Sequence, residues 1–438
     1  MKFTVLLVTG LCLLGAKTAS AADATPTEPK PQTTMAPPVE WVDPDTGHRV
    51  IRLSTEPGSS SLYFHQNAYT PEGDKLVFQT PGGIGMVDLA SLGSKPVRVE
   101  IVVPGVRPIA TARKTRDVYF TRGGQRGGGN NGVFAANLDT REIREIKNAR
   151  GTTINCDETF SVMAVNAEDP TGKTPYPEAR RTVSQMQRMF PGKKPEDLTP
   201  EQRYAAEKED GLSRRVFNPT SMAFVFTNLK TGESATNGYQ YAWLNHLQFS
   251  PIDPNLLLYC HEGTWHEVER VWTIRTDGSQ QRLMHKRTMD MEIAGHEWWS
   301  FDGKKVWFDL QTPRSQDFWI AGVNIDTGKE AHYHIDRDSW GVHFNSSRDN
   351  QLFASDGGDA SQVAYSTKGM WINLFRVQPD GTVAHERLAN MSKHNYVTGR
   401  PGGVEPNCSI TPDKKWVVFT GQFAPGQRHV YAVEIAKQ

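Results

Sequence analysis

The sequence predicts an all-β fold, a seven-bladed β-propeller carrying one partly helical insertion. Three observations predict it. Short β-like runs recur in pairs, each pair joined by a turn signal. Two classes of turn alternate along the chain, and with one insertion set aside they recur about every 50 residues, the length of a four-stranded blade. No helix-period pattern alternates with the strands, which disfavours an α/β sheet.

Composition fits that class. Of 438 residues, 37% are hydrophobic, including 11 Trp, 12 Tyr and 19 Phe, enough for a large core. Lys+Arg and Asp+Glu are both 49, so the formal net charge is zero. Such a chain has no long-range pull toward nucleic acid or an anionic membrane, and an anionic ligand must be held by a local cluster of charge. Four Cys exclude a disulfide scaffold.

The elements follow in order. Met1-Lys2, the apolar run Val5 to Ala16 and Ala19-Ser20-Ala21 read as a signal peptide over residues 1–21. The run is too short to span a bilayer, so the expectation is a periplasmic or secreted protein with no membrane contact after cleavage. Residues 22–39 read as a disordered Pro/Thr-rich spacer, and 40–438 as a single propeller domain. Cleavage leaves Cys156, Cys260 and Cys408, an odd count that argues for buried free thiols.

The first turn class reads aromatic, Ser/Thr, Pro-like, Asp, Gly/Lys, then an apolar strand. Its members include Tyr69 to Phe78, Phe249 to Tyr259, Trp299 to Phe308, Asn345 to Phe353 and Ile410 to Phe419, with degenerate copies at 107–121 and 154–165. The second ends in Asp/Asn-x-x-(Thr)-Gly, as in Val42 to Gly47, Asn228 to Gly232 and Asn324 to Gly328. Alternation gives seven inner hairpins with outer ones between them. The outer hairpin missing after residue 420 is expected from the C-terminal strand, Val430–Ile435, together with a strand near 40–53, which closes the ring and removes exposed edges.

The insertion covers about 166–218. Thr199-Pro200-Glu201-Gln202 is a capping box with Pro at the first helical position, so a short helix should follow. This segment carries Arg180, Arg181, Arg188, Arg214 and Arg215. It is either a solvated side lobe or a cover over the ring opening that offers guanidinium groups to an anion.

The histidines share a register. Five residues before the turn proline or its equivalent stand His246, His296 and His343, and in the last repeat Asn407, with Glu405 two residues earlier on the same strand face. In the first repeat the position is Gln66, beside His65. A propeller brings equivalent positions of its innermost strands to one central channel. Three imidazoles, a carboxylate and an amide suit a divalent cation, with room for one His as a base. His261, on a polar loop after the apolar strand Leu256–Cys260, either lines the channel mouth or sits satisfied in a turn. Arg400 is either a solvated loop residue or a carboxylate clamp.

Leu244 to Pro251, Leu257 to Gly263, Arg270-Val-Trp272, Gly295-His-Glu-Trp-Trp299 and the Ser-Asp-Gly-Gly-Asp359 stretch resemble the oligogalacturonate lyases, polysaccharide lyase family 22. The resemblance covers most of the mature chain and is densest from 224 to 312. It implies a seven-bladed propeller, a divalent metal, typically Mn²⁺, and a His base. His246 matches the base and His296 one metal ligand. Where the family has a Gln and a His-Pro-His run, this chain has Gly402-Gly403-Val404-Glu405-Pro406-Asn407. Glu405 and Asn407 then stand where two His ligands would be, and oxygen ligands admit Ca²⁺ or Mg²⁺. Arg214 and Arg215 are nearest to the family's substrate-binding Arg. Arg400, His261 and His343 complete the candidates for holding a uronate oligosaccharide.

The implied reaction is β-elimination from a 4-linked uronate. A cation on the carboxylate stabilises the enediolate-like charge, and a neutral His removes the C5 proton. The alternatives are a non-catalytic periplasmic propeller that binds a glycan or a protein, and a glycoside hydrolase. The hydrolase ranks last because the register supplies only one carboxylate.

Overall fold

In the computed structural model the described residues are 37–93, 97–122, 132–176, 184–358, 369–394, 396 and 403–437. They form seven antiparallel sheets, numbered here as blades 1 to 7 in chain order. Blade 4 shows the pattern: Leu244–Phe249, Leu256–His261, Val271–Arg275 and Arg282–Leu283 lie in sequence order from its inner to its outer edge. Blade 5 (Ile293–Trp299 to Glu330–Ile335) and blade 6 (Phe344–Ser346 to Val383–Asn390) repeat it.

Blade 7 closes the ring as expected. Its five strands run Glu40–Val42, His48–Arg52, Arg428–Lys437, Trp416–Gln422 and Ser409–Ile410, so both chain ends share one sheet. Blade 1 departs from the pattern. It has three strands, and its inner edge is a loop held by the bridges Ser60↔Gln79 and Tyr69↔Leu76.

Both turn classes have a side-chain cause. In the inner turns a hydroxyl caps the second strand and is itself held by an aspartate. Ser300 Oγ accepts the Lys305 N–H at 2.9 Å and donates to Asp302 at 2.7 Å. Ser347–Leu352–Asp349 and Thr411–Trp416–Asp413 repeat the arrangement. In the outer turns the side-chain oxygen of an Asn or Asp accepts the next two free N–H groups, as Asn324 Oδ1 does from Asp326 and Thr327. Gly328 then takes the positive φ of 70° that ends the turn.

The core lies between blades. Trp298, Trp299 and Trp416 are buried there. Cys156, Cys260 and Cys408 are buried and free.

Within the insertion, helix α1 spans Gln185–Met189 and helix α2 spans Pro200–Phe217, longer than the short helix expected. The Thr199–Gln202 capping box is present in both directions. The helices are pinned to loops of blades 4 and 5. Arg314 reaches His266 Nδ1 at 2.9 Å and Glu209 at 3.3 Å, and His266 Nε2 meets Gln185 at 2.9 Å. Those loops follow the second strands, so they lie at the ring face where the innermost strands begin.

Candidate active site at the channel mouth

The register brings three imidazoles together, and the blade 1 loop adds a fourth, His65. Ring centroids are 5.5 Å apart for His246–His296, 4.6 Å for His296–His343 and 5.5 Å for His65–His246. Backbone irregularity aims two of them. The ladder of blade 4 shifts between Asn245 and Gln248, and that of blade 5 between Ala294 and Glu297. Such bulges turn a side chain out of the pleat. His246 also holds a positive φ of 51°, as does Asn407 at the same register position. A non-glycine residue held there is a strained position of the kind found at functional sites.

A buried network orients each ring. The Nδ1–H of His246 donates to Glu297 Oε1 at 2.8 Å, while Glu297 Oε2 accepts from Arg270 Nε at 3.0 Å. Glu297 and Arg270 are both buried. Nε2 of His246 is left toward Tyr63, whose hydroxyl lies 3.5 Å away. Burial, then the charge of Glu405, holds the Tyr63 phenol well above its ordinary pKa, so it stays protonated.

The backbone N–H of His296 donates to Asp309 Oδ1 at 2.7 Å. Gly295 makes that possible, since a Cβ there would lie 1.9 Å from the same oxygen. Burial pushes Asp309 up to about 7 and depresses His296 well below the usual range, so this imidazole is neutral. His343 repeats the geometry thirteen residues from Asp356. Its N–H bonds Oδ1 at 2.9 Å and its Nδ1 bonds Oδ2 at 2.7 Å. Burial opposes a charge on His343, but Asp356, Glu405 and Asp309 together hold it above its ordinary pKa.

Among the described residues, His296 Nδ1 and His343 Nε2 are buried without a hydrogen-bond partner. Glu405 Oε2 lies 3.8 Å from His343 Nε2. Asn407 is differently placed: its carboxamide oxygen accepts the Phe64 N–H at 3.2 Å and its own N–H donates to Asp356. It thereby ties down the blade 1 loop, which sends Tyr63, Phe64 and His65 among the imidazoles. The Phe64 ring lies 4.9 Å from His343 and 5.5 Å from His296. Among the described residues, the group of metal-type donors whose atoms all lie within 4.8 Å of one another is His246, Cys260 and Glu297. The Arg270 guanidinium already supplies the positive charge there, and burial keeps the Cys260 thiol protonated.

The other candidates are spread more widely. Arg215 bonds Glu262 at 3.0 Å and lies over Trp243, while Glu262 accepts from Asn245 beside His246. This chain of contacts favours the insertion as a wall of the mouth. Arg214 is exposed. His261 bonds Gln240 at 2.6 Å and stacks on Trp272, the satisfied alternative of its two readings. Arg400, Arg180 and Arg181 lie outside the described residues. Sequence reasoning assigned no role to Glu297, Arg270, Asp356, Asp309 or Tyr63. Asp309 and Asp356 carried a signal, each standing thirteen residues after a register histidine.

The cavity beside these residues measures about 1250 Å³ and is lined by Tyr63, His65, His246 and Glu405. A family model described as oligogalacturonate lyase matches residues 208–438. The oligogalacturonide lyase of Pectobacterium atrosepticum is 26% identical over 226 residues, 48% of this chain and 57% of that protein. The oligogalacturonate lyase of Dickeya dadantii is 28% identical over 232 residues, with the same two coverages of 48% and 57%. The chain thus spans little more than half the length of these curated relatives. Among solved structures, an oligogalacturonate lyase in complex with manganese matches with a TM-score of 0.65 at 22% identity, over 91% of this chain and 96% of that one. One from Vibrio parahaemolyticus matches with a TM-score of 0.66 at 21% identity, over the same 91% and 96%. These likenesses agree with the seven-bladed propeller.

Proposed function

The chain belongs to the oligogalacturonate lyase family, and on that premise we propose that it is a polysaccharide lyase cleaving 4-linked uronate oligosaccharides by β-elimination, with His246 as the base. One observation carries the assignment of the base. A buried carboxylate, Glu297, fixes the Nδ1–H tautomer and leaves the Nε2 lone pair directed to Tyr63. In the reaction Nε2 takes the C5 proton. The C5–H pair becomes the C4=C5 double bond, and the C4–O4 bond breaks with its pair on O4. Tyr63, held protonated 3.5 Å from the same nitrogen, is the donor that returns a proton to O4.

The donors present fit a divalent ion. Two buried imidazole nitrogens without hydrogen-bond partners, one of them 3.8 Å from the Glu405 carboxylate, offer nitrogen and oxygen donors of the kind that suit Mn²⁺ or a neighbouring cation. His296, His343 and Glu405 would hold it, His343 taking the place first given to Asn407. Bound there, the ion would supply positive charge to the uronate carboxylate as C5 gives up its proton. The relatives' names support galacturonate as the sugar, and the charged start, apolar run and Ala19-Ser20-Ala21 support export.

The test is the ultraviolet absorbance of the new C4=C5 bond with trigalacturonate. Absorbance should rise with wild type and fall by about 10²–10⁴-fold in His246→Ala. No rise from wild type with any uronate oligomer would leave the rival, a glycan-binding propeller without catalysis. The observation favouring that rival is the Phe64 ring packed among the imidazoles.

A further inference from the structure

The cavity reaches from the histidines to the opposite face of the ring, that of the inner turns. From His246 to Ser250 the innermost strand of blade 4 advances four residues, about 13 Å at ~3.3 Å each. The cavity is continuous over that distance, since Arg113, at an inner turn of blade 2, lines it together with His246. Blade 2 stands across the ring from blades 5 and 6. Even so, the Arg113 guanidinium lies 5.9 Å from the ring centroid of Phe301 in the blade 5 turn. Arg348, in the blade 6 turn, lies 4.4 Å from the same centroid. Phe301 is itself 39% exposed.

Among the described residues neither guanidinium is held in an ion pair. Arg348 donates to the carbonyls of Pro71 and Thr70, which anchors it but does not neutralise it. Among the described residues no hydrogen-bond acceptor is found for the Arg113 guanidinium, and its largest charged neighbour is Arg348. Of the acids of adjoining turns, Glu72 is paired with Arg116. Two half-buried guanidinium groups beside an exposed aromatic ring make a receptor for a planar anion on a body with an apolar face. A uronate has both, a carboxylate and a C–H face.

We propose that this far end is a second binding site, where Arg113 and Arg348 receive the carboxylate of an acidic sugar lying against Phe301. It is distinct from the histidine site, and it would retain a uronate that has passed along the channel or entered from the opposite face.

Calorimetry with digalacturonate on the full chain tests this. Arg113→Ala removes a side chain with no hydrogen-bond partner here, so its Tm should match wild type while one class of binding weakens at least tenfold. Arg113→Lys should recover part of it. His246→Ala should keep the Arg113-dependent class, and neutral methyl galactoside should not occupy it. Unchanged binding in both Arg113→Ala and Arg113→Gln would overturn the proposal. So would sulfate binding there as tightly as digalacturonate, which would reduce the site to a general anion contact. The lyase reading is separable: loss of all lyase activity with Arg113-dependent binding intact removes that reading and leaves this site standing.

Discussion

Replacing Glu297 by Gln tests the His246 assignment most directly. The native carboxylate accepts from His246 Nδ1 at 2.8 Å and Arg270 Nε at 3.0 Å, with neither Glu297 nor Arg270 reaching solvent. A carboxamide cannot balance Arg270, and an uncompensated buried charge costs about 3–5 kcal/mol. Arg270 Nε keeps the Gly295 carbonyl at 3.0 Å, so the lower end, about 3 kcal/mol, is expected. At ~2.1 cal/mol/K per residue over roughly 400 residues, that lowers Tm by about 4 °C. The effect on rate is separate and larger. An amide N–H facing Nδ1 selects the tautomer with the proton on Nε2, which cannot accept another, and a loss of about 10²–10⁴-fold follows. Adding Arg270→Met removes the orphaned charge and should recover most of the Tm. The assay is the absorbance rate on trigalacturonate, paired with thermal denaturation. If Glu297→Gln keeps its rate within a few-fold, then Glu297 does not set the His246 tautomer.

Three further outcomes follow from other contacts. Gly295→Ala would place a Cβ 1.9 Å from Asp309 Oδ1; we expect a lower Tm and loss of Mn²⁺ binding, and wild-type values for both would contradict the site geometry. Equilibrium dialysis should find about one Mn²⁺ per chain, lost in both His343→Ala and Glu405→Ala, whereas no uptake by wild type would remove the metal from the proposal. The His285–Glu292–Glu330 cluster, at 2.7 and 2.9 Å, predicts a window of stability. Burial opposes a charge on His285, but Glu330 and Glu292 raise its pKa, so its contribution is full below about 6.5 and is lost as pH rises through the raised value. His285 and His332 hold Glu330 down at about 2, so its contribution is full above about 4.5 and is lost as pH falls toward 2. The cluster's own contribution therefore peaks between about 4.5 and 6.5, and His285→Gln should flatten both limbs of a Tm-against-pH curve; a parallel curve would refute this.

Local chemistry made the fold legible, and nonlocal chemistry hid half of the site. A Ser/Thr hydroxyl bonded to the next strand and to an Asp two or four residues on is a short-range device, so each turn could be read alone and counted. Counting back from those turns then found His246, His296 and His343, because a repeated blade repeats its inward positions. What counting cannot find is a partner on another blade. Glu297 serves a histidine 51 residues away, and it stood beside His296 in a motif whose histidine drew the attention. Blade 1 shows the other limit. Its register position is Gln66, but the inner edge there is a loop with Tyr63 N–H bonded to Gln66 Oε1 at 3.1 Å. The turn so formed exposes His65, not Gln66, to His246. Register predicts direction only while the strand persists, and the Asn407 carboxamide, read as a ligand, is what fixes the loop where it stops.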